Sequence, residues 1–536
     1  MEIDENTTPS TRDIIHAGFE NLGRAKELLS EVCSAGDLEL TQRELLGELA
    51  HCADPDVALD ALHELIISFA DRPGKLHGLL HGRSPRTLLQ VLGASRQLGV
   101  LMRSRPELVE AAAVDSLHSA GFDGEARRAT MLAAIDAHEE QLGAADSSDS
   151  SFRRLITDVP LAEATNRLRR NYYEQLAAIM AYDVSHDDPI AIQPAVSRAL
   201  SDLADAALES ALAIAQSNTE ESELLRFTII GMGKLGAQEL NYVSDVDLIY
   251  VVEPMAETMS QPQLVKVGSK IAMLMQKICQ SVMPNVMEPA LWQIDGALRP
   301  EGKDGPLVRR LDSHKAYYRQ WAESWEFQAL LKARAVAGDV PLGEAYMQMA
   351  SEFVWQASRR ENFVSDCQRM RERVESLIPV PLRDREIKLG RGGLRDVEFT
   401  VQMLQLVHGR ADETLHVRST LQALQALSDG GYVSRRHARV LSHDYRFERV
   451  LEHRQQMWQL KRTHLFPDMG NANAGGLEKK RTVNVEELSR NAELHRLARV
   501  FGWHNEELVD NFDETRRQIR RLHNEIYYRP MLPISA

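Results

Sequence analysis

Cysteine is scarce in this chain of 536 residues: Cys33, Cys52, Cys279 and Cys367 stand far apart, with no CxxC pair and no zinc-type clustering of histidine. That spacing excludes a disulfide framework and predicts reduced thiols in a cytosol. No apolar run approaches the length of a membrane span, and Met1–Arg12 is acidic and polar where a secretory leader would be apolar. Positive charge is in deficit. The formal net charge of −15 makes the molecule as a whole a poor match for a nucleic-acid backbone, although a locally basic cleft stays open. These absences predict a soluble cytoplasmic protein that engages neither nucleic acid nor membrane.

What is present is ordinary for a globular chain: 43% apolar and 26% charged residues, in a length that predicts roughly three or four domains. Residues 12–142 carry helical periodicity. Within them Thr41-Gln-Arg-Glu44 reads as a capping box, and Asp54-Pro-Asp56 as an N-cap followed by proline at the first helical position. Residues 143–151 are small and polar, a boundary or loop, and helices resume from Phe152 to Ser217. Strands are expected only between 226 and 337, at Arg226–Ile230, Val246–Val252, Ala290–Asp295 and Arg334–Ala337. Beyond 340 the pattern is helical again, broken at Lys388–Gly393 and in the loop 470–476. The expected organisation is a helical region over 1–150, a small α/β core with its preceding helices over 151–340, and a helical bundle over 341–536.

The most informative stretch runs from Gly231 to Val252: strand, glycine-rich turn (Gly231, Gly233, Gly236), short helix, and a second strand opened by Asp245 and Asp247. Strand side chains alternate faces, so these two carboxylates share one face, where they repel unless a cation lies between them. Asp295, at the end of a third expected strand, completes a carboxylate set suited to magnesium-dependent phosphoryl or nucleotidyl transfer. Gly233 and its neighbours leave amides for a phosphate, with Lys234 as a point charge and Arg299 as a further phosphate contact. Two other segments admit two readings each. In Trp325–Arg334, Lys332 and Arg334 can neutralise phosphate with Glu326 orienting one of them, or the segment is an amphipathic helix with a solvated face. In Lys388–Glu398, Lys388, the glycine amides and Arg395 can bind anions, or the segment is a capped helix start with Asp396 and Glu398 in its first turn. His408, His453 and His464 have no partner motif, and Lys461–Pro467 reads as a basic helix end.

Taken in order, Gly231–Asp247, Asp295–Val308, Trp325–Arg334 and Lys388–Phe399 resemble the bacterial glutamine synthetase adenylyltransferase/deadenylylase family, over nearly the whole chain. The resemblance implies a mainly α protein with a small α/β nucleotidyltransferase core, similar to DNA polymerase beta, flanked by helical domains. It implies Mg2+ at Asp245, Asp247 and Asp295. The implied partners are glutamine synthetase as protein substrate, ATP/ADP and phosphate, and a PII signalling protein. Family members carry two such halves. The wording Gly-Met-Gly-Lys-Leu-Gly and the helical lead-in look like the N-terminal half, which removes AMP from a tyrosine by phosphorolysis, so a fragment or split system is expected. Forward adenylylation from ATP and a non-catalytic PII-sensing module are the alternatives. Ala297 stands where some members have arginine.

Overall fold

The computed structural model describes residues 8–35, 38, 40–69, 75–80, 85–113, 123–142, 152–256, 259–469 and 491–528. The polar segment 143–151, the loop 470–476 and the tail 529–536 lie outside them. By contacts the chain forms two units, each discontinuous in sequence: Met1–Phe122 with Tyr173–Val196 and Arg446–Glu514, and Asp123–Tyr172 with Ser197–Tyr445 and Thr515–Ala536.

The first unit is helical in its described residues, and its start signals act locally. Thr41 accepts from the Glu44 amide while Glu44 accepts from the Thr41 amide at 2.9 Å, so two orphan donors at the start of helix Gln42–Leu49 are satisfied. Asp54 likewise accepts from Val57 N at 3.1 Å with Pro55 opening helix Pro55–Ser68. The acid before Pro55 is therefore a cap, as expected. Leu45, Leu49, Leu59 and Leu62 of these helices are buried, as are Leu88 and Leu92 of helix Arg86–Ala94.

The second unit holds the sheets. Strand β3 (Leu225–Gly231) is antiparallel to β4 (Val246–Pro254), with Gly231 opposite Leu248, and antiparallel on its other side to β7 (Arg334–Gly338). Strands β5 (Ile294–Asp295) and β6 (Val308–Arg309) both run parallel to β4, giving the order β5-β4-β3-β7. Both central strands are near-continuous apolar runs because both of their faces are covered. Ile249 and Val251 pack with Phe327, Leu330, Leu342 and Tyr346 on one face. Helix Gln261–Gln280 packs against β4, burying Val267, Ile271 and Met275. Mainly helical with a small α/β core is what the sequence predicted.

Two strand expectations need correction. The strand foreseen at Ala290–Asp295 shrinks to Ile294–Asp295. Strands also occur outside 226–337: β1 (His138–Leu142) and β2 (Phe152–Ile156) form an antiparallel hairpin where helix was expected. Their pairing is partly ionic, Arg153 to Glu139 at 2.9 Å and Arg154 to Glu140 at 2.6 Å, so no apolar periodicity announces it.

Candidate active site

Glycine-rich backbone and carboxylates meet at the end of β3 and the start of β4. The Met232 amide donates to Asp247 O at 2.9 Å, continuing the ladder into the turn. Gly233 follows with φ +54°, and a Cβ there would stand 2.8 Å from Asp247 Oδ2. A side chain at 233 would collide with the carboxylate, so glycine is required on two counts. Gly236 ends the short helix Gly233–Gly236 where a Cβ would lie 1.8 Å from Lys332 O. The turn is therefore pressed against the chain entering β7.

Asp247 and Asp295 are register partners in the parallel β4–β5 pair. Burial, and next the charge of Asp295, push the Asp247 carboxyl up to about 6; Lys388 and Arg395 oppose that rise, and Asp245 adds a little to it. These five side chains thus share one electrostatic neighbourhood. Asp295 Oδ1 also accepts from Ala297 N at 2.8 Å, which fixes the turn after β5. Asp245 lines an adjoining cleft of about 380 Å3 together with Gln276, Gln293, Asp295, Arg299 and Lys303. Among the described residues, no three His, Cys, Asp or Glu side chains are grouped as a ready metal site. The expected three-way convergence is thus a facing pair with Asp245 at the cleft wall. The pair itself suits a divalent cation, since two carboxylates held together in a partly buried place repel until a cation joins them.

Glu398 organises the cationic side. Burial would raise its pKa, yet Lys332, Arg395, Lys234 and Lys388 hold it well below the usual carboxylate range. Arg395 Nη1 donates to it at 2.8 Å, and Lys332 Nζ lies 3.9 Å away. It is a buried counter-ion and not a first-turn dipole partner, because helix Leu394–His408 turns its side chain inward; only Asp396 occupies the first turn. Asp396 has its own cage: Arg371 Nε at 2.8 Å, Arg520 Nη1 at 3.3 Å and Gly392 N at 2.7 Å.

Other expected contacts are committed elsewhere. The Gly392 amide serves Asp396 and the Gly393 amide serves Gly390 O, so these glycines provide close packing, not an open anion cradle. A Cβ at Gly392 would come within 2.1 Å of Arg516 O. Arg299 ties its own loop, donating to the carbonyls of Gly296, Lys303 and Gly305. Arg334 is bidentate to Asp205 at 2.6 and 3.0 Å and also donates to Leu235 O. Lys332 is buried, bonded to Glu239 at 3.1 Å and Thr420 Oγ1 at 3.2 Å. Glu326 orients neither cation; it accepts from Glu323 N and Tyr317 OH. Lys234 Nζ donates to Asn241 Oδ1 at 3.0 Å. Of the expected cations, Lys388 and Arg395 act most directly on Asp247, and Lys234 joins them around Glu398. Glu239 and Gln276 went unrecognised because no local pattern marks them, and the sequence offers Glu398 only as a first-turn acid.

Residues 86–349 match the glutamate-ammonia ligase adenylyltransferase family, and residues 368–527 match GlnD PII-uridylyltransferase. A bifunctional glutamine synthetase adenylyltransferase/adenylyl-removing enzyme of Bifidobacterium longum subsp. infantis is 59% identical over 529 residues, which cover 98% of this chain and 48% of that protein. Proteins of the same description from Cutibacterium acnes and Mycolicibacterium smegmatis are each 41% identical, over 91% of this chain and 46% and 45% of their own lengths. The chain spans about half the length of the curated relatives it matches.

Proposed function

We infer the activity from kinship and geometry together: the chain belongs to the glutamate-ammonia ligase adenylyltransferase family, and we propose that it removes AMP from the adenylylated tyrosine of glutamine synthetase. The observation that carries this reading is the Asp247–Asp295 register pair beside a cleft of about 380 Å3, with Asp247 in the field of Lys388 and Arg395. Acids and cations at one place are what a phosphoryl group and its metal both require.

In the proposed reaction an oxygen of inorganic phosphate attacks the adenylyl phosphorus. The bond from that phosphorus to the tyrosyl oxygen breaks, and the products are ADP and free tyrosine. A phenol with pKa about 10 leaves acceptably as phenolate and takes a proton from water, so no dedicated acid is required. Asp247 and Asp295, with Asp245, would hold Mg2+. Such a cation, when bound, withdraws charge from phosphoryl oxygens. Lys388 and Arg395 would draw the incoming phosphate to the carboxylates, with Lys234 alongside. Gly233 keeps the turn close enough for the nucleotide phosphate to approach. Arg299, Lys332 and Arg334 we assign to holding the loop, the Glu239–Glu398 core and the β7 entry, not to phosphate. A PII-type signalling protein is the proposed regulator, and the cytoplasm the proposed location.

The test is Asp247→Asn with Asp295→Asn. Modified synthetase incubated with phosphate and magnesium should yield ADP with the parent chain and none with the double variant. Undiminished release would remove the mechanism. Incorporation of label from ATP into unmodified synthetase, without ADP release from the modified form, would reverse the assigned direction.

A further inference from the structure

Against a net charge of −15, one surface beside the cleft is basic. Helix Gln261–Gln280 contains no acidic residue, and its exposed face presents Lys266, Lys270, Met273 and Lys277 at intervals that align on one side. Among the described residues, none of these lysines pairs with a carboxylate. The opposite face is buried in the sheet, so the stripe cannot turn inward.

The loop that follows continues the surface with apolar tips. Val282 is 93% exposed, Met287 84% and Met273 54%. Exposed apolar side chains on a slack loop would mean little, but this loop is clamped. Buried Arg169 donates to the carbonyls of Ile278, Ser281 and Glu288 at 2.7 to 3.0 Å. Asn166 donates to Asn285 O and accepts from Met287 N at 2.8 Å. The conformation that exposes Val282 and Met287 is thus prepaid, and preorganised apolar groups bind with less ordering cost. The last turns of the helix reach the reaction site. Gln276 lines the cleft, and Gln280 Oε1 accepts from Ile294 N, the residue before Asp295, at 2.9 Å.

We propose that this face, Lys266, Lys270, Met273 and Lys277 with Val282 and Met287, docks the folded protein substrate through an acidic patch with an apolar spot next to its modified tyrosine. The inference rests on the adenylyl-removing reading above. A cleft of about 380 Å3 accommodates little more than the adenylyl group, so recognition of a protein must come from surface outside it. A nucleic acid fits less well: residues 261–291 hold no arginine and no aromatic side chain for base readout or stacking.

The experiment compares the full chain with K266E/K270E/K277E, and separately with Met287→Asp, on two substrates: adenylylated glutamine synthetase and a short adenylyl-tyrosyl peptide. The triple variant should raise KM for the intact synthetase about tenfold or more, with kcat and peptide cleavage unchanged, since a charged face acts mainly on encounter. Met287→Asp should weaken intact synthetase selectively too. Equal KM values for parent and triple variant would overturn the docking surface. If the parent chain cleaves neither substrate, the catalytic reading fails, and direct binding of modified synthetase by interferometry decides the surface alone: loss in the triple variant sustains it, equality overturns it. Duplex DNA or phosphatidylserine vesicles bound by the parent and lost by the triple variant, with synthetase binding intact, would also overturn it.

Discussion

Replacing Glu398 by Gln keeps the shape of a buried side chain and deletes the charge around which four cations gather. Breaking a buried ion pair by removing one partner typically costs about 3–5 kcal/mol, because the other charge is left uncompensated. Two features here lower that figure. Lys332 keeps Glu239 at 3.1 Å, and the Arg395 side chain is 35% exposed and retains Asp247 as a neighbour. A value at or just under the lower end, roughly 2–3 kcal/mol, is therefore expected. Hydrogen exchange of the amides in helix Leu394–His408 reports it locally, as a roughly 30- to 150-fold faster exchange at pH 7. The acid dependence has a definite sign. Glu398 is held below its ordinary value of 4.5, so its contribution is complete above that pH and fades as pH falls toward the folded value. Parent and Glu398→Gln should therefore converge below pH 4.5. Equal protection at pH 7, or a gap that widens on acidification, would refute the counter-ion role.

Gly236→Ala places a Cβ 1.8 Å from Lys332 O and 2.5 Å from Gly231 O, both backbone atoms, so it should cost about 3 kcal/mol or more; a thermal midpoint equal to the parent's would show that the turn yields. Burial drives His523 down to about 4, against the pull of Asp396 and with Arg520 and Arg371 assisting. Because the unfolded chain takes its proton near 6.5 and the native one does not, stability should hold above that pH and fall as pH drops toward 4. His523→Gln should flatten urea midpoints over that window, and an unchanged slope would rule His523 out as the source.

The parts legible in the sequence were those whose causes are local. Strands β3 and β4 appear as apolar runs because both faces are buried, and Asp54 reads as a cap because proline follows it. Asp247 and Asp295 could be singled out because strand ends beside a glycine turn have few structural uses for acids. Partnership across the chain was not legible. An arginine looks the same whether it awaits a phosphate or, like Arg334 on β7, is already held by Asp205 from helix Pro189–Ser217. Glu398 and Lys332 lie 66 positions apart, and nothing in either local pattern announces the other. The hairpin β1–β2 escaped for a related reason: its charged cross-strand pairs imitate a solvated helix face.

Ligand binding at this cleft should be coupled, and the sign follows from the charges. Lys388 and Arg395 now offset the repulsion between Asp247 and Asp295. A phosphate that engages those two cations takes that relief away, leaving the carboxylates closer to unscreened. A divalent cation placed between the carboxylates restores it and gains the phosphate's charge as well. Phosphate and magnesium should therefore bind with positive cooperativity, each tightening the other by the same factor. Coupling energies are typically about 1–3 kcal/mol, or 5- to 150-fold. Calorimetric titration of phosphate with and without magnesium measures that factor directly, without turnover. Asp295→Asn should reduce the factor by removing the repulsion that creates it, while leaving Lys388 and Arg395 in place. Phosphate affinity that is independent of magnesium in the parent chain would mean that cations and carboxylates serve separate sites, and the shared-centre reading would fail.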